Sequence, residues 1–188
     1  MLCQSCFSPC PGHICRRCRV DLRPAPERIL DGGIRLIAAF EHVGAARHLI
    51  HGFKYRGLTA YADLVVEIVA PRVPPLPIVP VPRAWSRQIS YGIDPARELG
   101  RRLARYLGVP LVDALAPPIH NRRRAGGDHS LAPSRFTTIR STPGRFVLVD
   151  DVVTTGATVR SAANSLGFDQ IALVIAANAA DMVSSPHI

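Results

Sequence analysis

Lysine is almost missing from this 188-residue chain: Lys54 is the only one, beside 22 arginines. Also missing are GxxxxGK[ST] and the glycine-rich GxGxxG pattern, which sets aside a Walker-type phosphate loop and a dinucleotide fingerprint. No apolar run reaches the roughly 18 residues that a membrane-spanning helix needs. The opening MLCQSCFSPC lacks the basic region and long apolar stretch of a secretory signal. The expectation is a cytoplasmic protein without a membrane span. No local motif suggests a Ser/His/Asp triad, and His42, His48 and His51 read as helix-surface or structural histidines.

Arginine gives the chain a net charge of +9. Such an excess favours phosphate-bearing partners, nucleic acid included. Because arginine so nearly excludes lysine, compositional bias accounts for the charge equally well, so it fits a phosphate ligand without identifying one. The length suits one domain with a substantial core and a small appended module.

That module is announced by five cysteines, all within the first 18 residues: Cys3-x2-Cys6, Cys10 and Cys15-x2-Cys18. Two CxxC turns can place four thiolates around one tetrahedral zinc, and an iron–sulfur centre is the soft-ligand competitor. The expected ligands are Cys3, Cys6, Cys15 and Cys18, with Cys10 or His13 as substitutes. An odd cysteine count and the missing secretion signal disfavour disulfides. With four protein ligands the metal has no open position, so it holds together a segment too small for its own core. The module is assigned to residues 1–24 and the main domain to 25–188.

Downstream, RPAPERILDGG (23–33) reads as a linker and IRLIAAF (34–40) as a strand. Helices are expected over 45–54 and 58–70, the second with an apolar stripe on Leu64, Ile68 and their neighbours. IVPVP (78–82) is a short strand running into a proline-fixed turn, followed by an aromatic and basic loop, RAWSRQISYGID (83–94). Asp94 caps a helix with Pro95 at its first position, Leu99, Leu103 and Leu107 along one face, and Gly108 at its end. VPLVDAL (109–115) is a further candidate strand, 117–145 reads as mostly loop, and IALVIAA (171–177) is a strand. Near-continuous apolar strands alternating with helices predict an α/β fold with a mainly parallel sheet flanked by helices.

The most informative stretch is FVLVDDVVTTGATV (146–159). Ligands of open α/β sheets collect beyond the carboxyl ends of the strands, where Asp150 and Asp151 are expected at the strand tip. Carboxylates accept hydrogen bonds from sugar hydroxyls and help to hold magnesium. Thr154, Thr155, Gly156, Ala157 and Thr158 add hydroxyls, backbone N–H groups and a helix start, which suit a phosphate monoester. A ribose 5-phosphate group has both features. The simpler alternative is that Asp151 or Thr155 merely caps the helix.

VLVDDVVTTGAT resembles the diphosphoribosyl-binding signature of type I phosphoribosyltransferases. The order of a cysteine module, FKYRG (53–57), VPVP (79–82), a basic loop and then the signature is similar to the ComF/GntX competence-related branch, over nearly the whole chain. The resemblance implies a type I phosphoribosyltransferase-like fold with structural zinc, and magnesium carried with a diphosphate substrate. It implies that Asp150 and Asp151 bind ribose hydroxyls, that 154–158 bind the 5-phosphate, and that Arg83 touches pyrophosphate. Asp150, Asp151 and Arg83 are then the catalytic candidates in a transfer of phosphoribosyl from phosphoribosyl pyrophosphate to a nitrogen nucleophile. An alternative carried by the same branch is a DNA uptake or processing factor that binds single-stranded DNA, with DNA-processing proteins as partners and no turnover.

Where the family commonly reads RGFNQ, this chain has YGIDP (91–95). Tyr91, Asp94 and Pro95 replace an arginine, an asparagine and a glutamine, and Arg87 is a candidate to reach the same ligand. Trp85 either stacks on a base or docks on its own domain. Arg122–Arg124 read as a solvated charge run, and with Arg135 they fall where the family carries further basic positions.

Overall fold

The computed structural model describes residues 1–30, 33–117, 136–141, 144–167 and 172–178, with positions 86–87 and 172–178 described as backbone. Its elements run α1 (Arg16–Val20), β1 (Arg28–Leu30), β2 (Ile34–Glu41), α2 (Gly44–Arg56), α3 (Ala60–Val69), β3 (Ile78–Pro80), α4 (Trp85–Tyr91), α5 (Pro95–Leu107), β4 (Leu115–Ala116), β5 (Thr137–Thr138), β6 (Val147–Val153), α6 (Ala157–Leu166) and β7 (Ala172–Asn178). The main sheet has the order β1-β2-β7-β6-β3. Only β1 is antiparallel; β2, β7, β6 and β3 are parallel. The fold is therefore α/β, with a small, mainly parallel sheet flanked by helices and a cysteine cluster at the N-terminal end.

Side chains alternate across a strand, and here both faces are buried. Ile37, Ala39, Ile78, Val147 and Val149 join a core built with α2, α3 and α5, whereas Leu36, Ala38, Val79 and Leu148 pack with Val159, Ala162 and Ala163 of α6. Leu99 and Leu103 of α5 are fully buried, each contributing roughly 1.5–3 kcal/mol of apolar burial. Asp94 accepts the Arg97 amide, Pro95 occupies the first turn, and Gly108 ends the helix in the left-handed conformation at φ 68°.

Several sequence expectations are revised. Residues 23–30 of the supposed linker 23–33 lie along the sheet: Arg28–Leu30 pair with β2, and the Ala25 amide donates to Ala39 O, because this segment lies beside the open edge of β2. The supposed loop 83–94 contains α4; no glycine or proline interrupts Trp85–Tyr91, and Gly92 at φ 66° stops the helix. In α3 the buried stripe is Tyr61, Ala62, Val65, Val66 and Val69, while Leu64 and Ile68 flank it half-buried. VPLVDAL contributes a bridge from Leu111 to Ile78 and, at Leu115, the start of the short β4, while Asp113 between them pairs with Arg97. Most of 117–145, including Arg122–Arg124 and Arg135, lies outside the described residues.

Asp150 and Asp151 are not at a strand tip. They lie within β6, which continues to Val153 because β7 pairs with it through Asn178. On the other side, pairing with β3 stops at Val149, whose carbonyl accepts the Val81 amide. The chain then turns at Pro82 into α4, so β6 borders an opening from Asp150 onward.

No helix among the described residues is long and apolar enough to cross a membrane.

Candidate functional site

At the N-terminal end, one ligand atom from each of Cys3, Cys6, Cys15 and Cys18 lies within 4.8 Å of the others. Tetrahedral zinc with Zn–S bonds of about 2.3 Å requires sulfurs about 3.8 Å apart, and the Cys6 and Cys15 Sγ atoms are 3.7 Å apart. The four thiols thus form a candidate metal site compatible with zinc. Hydrogen bonds from Ser8 hold the Cys6 thiol down at about 6, which favours thiolate at neutral pH, while burial pushes Cys18 up to about 12. Cys10 and His13 lie outside this group: Cys10 Sγ lies 2.8 Å from Gly12 O, and His13 lines a separate cleft with Gln4 and Thr59.

The cysteine segment is fastened to the main body. Cys3, Cys18 and Leu22 share a core with α2 and α3. Asp21 Oδ2 accepts the Ala45 amide at 2.7 Å and so caps α2, which has no cap of its own. Gly44, at φ 50°, makes this approach feasible, since a Cβ there would meet Asp21 Oδ2 at 2.4 Å.

At the carboxyl end of β6 opens a cleft of about 220 Å³, lined by Lys54, Tyr55, Arg83, Asp94, Asp150, Asp151, Thr158 and neighbouring residues. Alternation separates the two aspartates. Asp151 follows the Val149 side of the sheet and meets α2, where Lys54 Nζ lies 2.9 Å from its Oδ1. Asp150 follows the opposite side, and its Oδ1 accepts the Asp151 amide at 2.7 Å. Burial, reinforced by the charge of Asp151, pushes the Asp150 carboxyl well above the usual carboxylate range.

Arg83 is held on several sides. Its Nη1 donates to Lys54 O at 2.9 Å and Ile93 O at 3.4 Å. Its guanidinium carbon lies 5.2 Å from the Tyr55 ring centroid and 4.9 Å from that of Tyr91, within cation–π range. Asp94 Oδ2 accepts the Arg83 amide at 3.0 Å while Oδ1 caps α5. Burial raises the Asp94 pKa, partly offset by these amides. The YGIDP segment is therefore the brace of Arg83: Tyr91 packs on it, Ile93 O and Asp94 bind it, and Pro95 starts the next helix.

Of the expected phosphate loop, Thr158 lines the cleft, while Thr154, Thr155, Gly156 and Ala157 lie alongside, outside its lining. Gly156, in the left-handed conformation at φ 73°, stands at the head of α6; the Thr155 hydroxyl accepts the Ala157 amide at a long 3.4 Å, and Asp151 makes no cap. Trp85 is half-exposed on α4 and outside the lining; the Arg87 side chain lies outside the described residues.

Sequence reasoning did not assign cleft roles to Lys54, Tyr55, Asp94 and Phe136, nor a loop contact to Arg160, whose Nη1 donates to Thr155 O at 3.0 Å. Lys54 had a visible signal, as the single lysine of an arginine-rich chain. Arg160 had one in its spacing, one helical turn beyond Gly156. Tyr55 stood within FKYRG, and Phe136 had none.

In comparisons with known proteins, no protein-family model and no curated protein sequence matches the chain.

Proposed function

We propose that this chain is a type I phosphoribosyltransferase-fold protein of the ComF/GntX branch, and that its β6 cleft binds phosphoribosyl pyrophosphate or a nucleotide phosphate. The observation that carries the proposal is the convergence of Asp150, Asp151, Thr158 and Arg83 on one cleft at the carboxyl end of a parallel sheet, where such folds bind ligands. Asp150 and Asp151 hold the ribose diol, the start of α6 receives the 5-phosphate, and Arg83 stabilises the pyrophosphate. Lys54 screens the carboxylates from the phosphates. Magnesium, arriving with the diphosphate, would neutralise its charge.

Turnover displaces pyrophosphate from C1. The C1–O bond breaks with its electron pair leaving on pyrophosphate, a nitrogen lone pair forms the new C1–N bond, and the nitrogen then loses a proton. Positioning and charge stabilisation account for the acceleration, with no covalent intermediate.

Calorimetric titration of phosphoribosyl pyrophosphate with magnesium into wild type and D150N/D151N tests the binding claim. Binding that falls at least about tenfold in the double variant is the expected result; affinity unchanged by it would refute the diol assignment. The alternative, a single-stranded DNA-binding factor without turnover, is favoured by half-exposed Trp85 on α4. It requires DNA affinity that falls steeply with salt and depends on Trp85.

A further inference from the structure

Beside the β6 cleft lies a second cavity, of about 490 Å³, lined by His42, Arg47, His48, Ile50, His51, Lys54 and Tyr55. Lys54 and Tyr55 line both cavities. Apart from His42, just beyond β2, every lining residue lies on α2, whose sequence GAARHLIHGFKYR contains no acidic residue. Ala45, Ala46, Leu49, Ile50 and Phe53 turn inward, leaving Arg47, His48 and His51 exposed along one stripe.

A basic helix face is ordinarily solvated and laced with carboxylates, as α5 shows. There Arg97 pairs with Asp113, Arg101 with Glu98, and Arg102 with both Glu98 and Asp63. On α2 only Lys54 is paired in this way, with Asp151: among the described residues, Arg47, His48 and His51 have no ion-pair partner, and no carboxylate lines the cavity. Burial is the largest cause that lowers the His42 pKa; the charges of Lys54 and Arg47 add to it and that of Asp151 opposes it. The imidazoles do not form a metal site either, since the cysteine cluster is the only convergent ligand group among the described residues. Arginine, lysine and imidazole donors presented side by side along one helix face suit the several acceptor oxygens of a phosphate.

We infer that this cavity is a second anion subsite, which takes a further phosphate group, monoester or diester, of the ligand whose sugar phosphate occupies the β6 cleft. The inference rests on the β6 cleft as the primary site and extends the ligand class from a single sugar phosphate to one with phosphates at both ends. Lys54 and Tyr55 are the shared wall across which such a ligand lies. The His51, Tyr55 and Tyr91 rings pack in series beside it, with centroids 4.8 Å apart at each step, and the last two hold Arg83.

The test uses ribose 5-phosphate, adenosine 3′,5′-bisphosphate and a 5′-phosphorylated tetrathymidylate, titrated into wild type and R47A/H48A/H51A. Calorimetry and the histidine ring NMR signals are the readouts. The triple variant changes only exposed side chains outside the β6 cleft, and R47E provides an independent charge reversal. Wild type is expected to bind the bisphosphate about tenfold tighter than ribose 5-phosphate, with shifts of the His48 and His51 signals. The triple variant loses that advantage and keeps its ribose 5-phosphate affinity. A comparable loss for the tetrathymidylate identifies a phosphodiester strand as a source of the anion; a loss confined to the bisphosphate identifies a monoester. If ribose 5-phosphate fails to bind while the bisphosphate still shifts His48 and His51 in wild type alone, the primary-site proposal falls and the anion subsite stands. Ring signals unmoved by any phosphate, or a bisphosphate advantage that survives both variants, would overturn the subsite.

Discussion

Lys54 Nζ sits 2.9 Å from Asp151 Oδ1, joining the last turn of α2 to the middle of β6. Asp94 and Asp150 line the same cleft, so this ammonium stands among three carboxyl groups. Replacing it with methionine leaves Asp151 without its partner in a part-buried place. Lys54→Met is expected to destabilise the chain by about 1–3 kcal/mol at pH 7. K54M/D151N should recover more than half of that loss, measured by urea unfolding as a double-mutant cycle. Strictly additive losses would show that the pair is not coupled.

Asp150 makes stability depend on pH in a defined direction. Its folded pKa lies above the unfolded value of about 3.9 because burial and Asp151 disfavour its charge. Above about pH 4 the folded chain therefore binds more protons at this site than the unfolded chain. That stabilising contribution is fully present below the unfolded pKa and is lost as pH rises through the folded one. Asp150→Asn should flatten the decline between pH 5 and pH 8, gaining about 1–3 kcal/mol more at pH 8 than at pH 5. Asp94, raised in the same direction, leaves a residual slope. Identical slopes in unfolding midpoints for wild type and variant would refute the assignment.

Asp21 caps a helix that carries no cap of its own, so Asp21→Ala should cost about 1 kcal/mol. Gly44→Ala should cost more, roughly 2 kcal/mol, because it combines a left-handed φ with a collision against that carboxylate. Thermal melts that rank the two the other way would argue against the docking of Asp21 on Gly44.

Metal removal should be felt beyond the cysteine segment. Cys3 and Cys18 are buried in the core that also holds Leu49 and Phe53 of α2. Chelation, or Cys15→Ser, should lower the melting temperature and raise amide exchange along α2. About one zinc per chain is expected in the reduced protein, and a melt insensitive to both treatments would exclude a structural metal.

The brace of Arg83 can be taken apart ring by ring. Tyr91→Phe keeps a π-face 4.9 Å from the guanidinium carbon and should bind phosphoribosyl pyrophosphate as wild type does. Tyr91→Leu removes it and should weaken binding about three- to tenfold. Equal affinity in the two variants would show that the ring does not position Arg83.

Features written in short-range patterns were legible in the sequence. The zinc-type ligands share two tight turns, Asp94-Pro95 and Gly108 delimit α5, and the apolar runs of β2, β6 and β7 mark the sheet. What escaped was set by partners distant in the chain. Residues 23–30 look like a linker until the open edge of β2 is placed beside them. Helix α4 reads as loop because half-exposed Trp85 and exposed Ile89 give it no core-facing stripe. Lys54 became a cleft residue only once the end of α2 had been placed beside Asp151 of β6, a long-range relation that no local periodicity encodes.

The sole ε-amine in this sequence stands inside the candidate site. Reagents selective for primary amines therefore label one side chain, besides any free chain-terminal amine. The rate of acetylation or reductive methylation of Lys54, followed by mass spectrometry, becomes a built-in footprint of cleft occupancy that needs neither an engineered probe nor an assay of turnover.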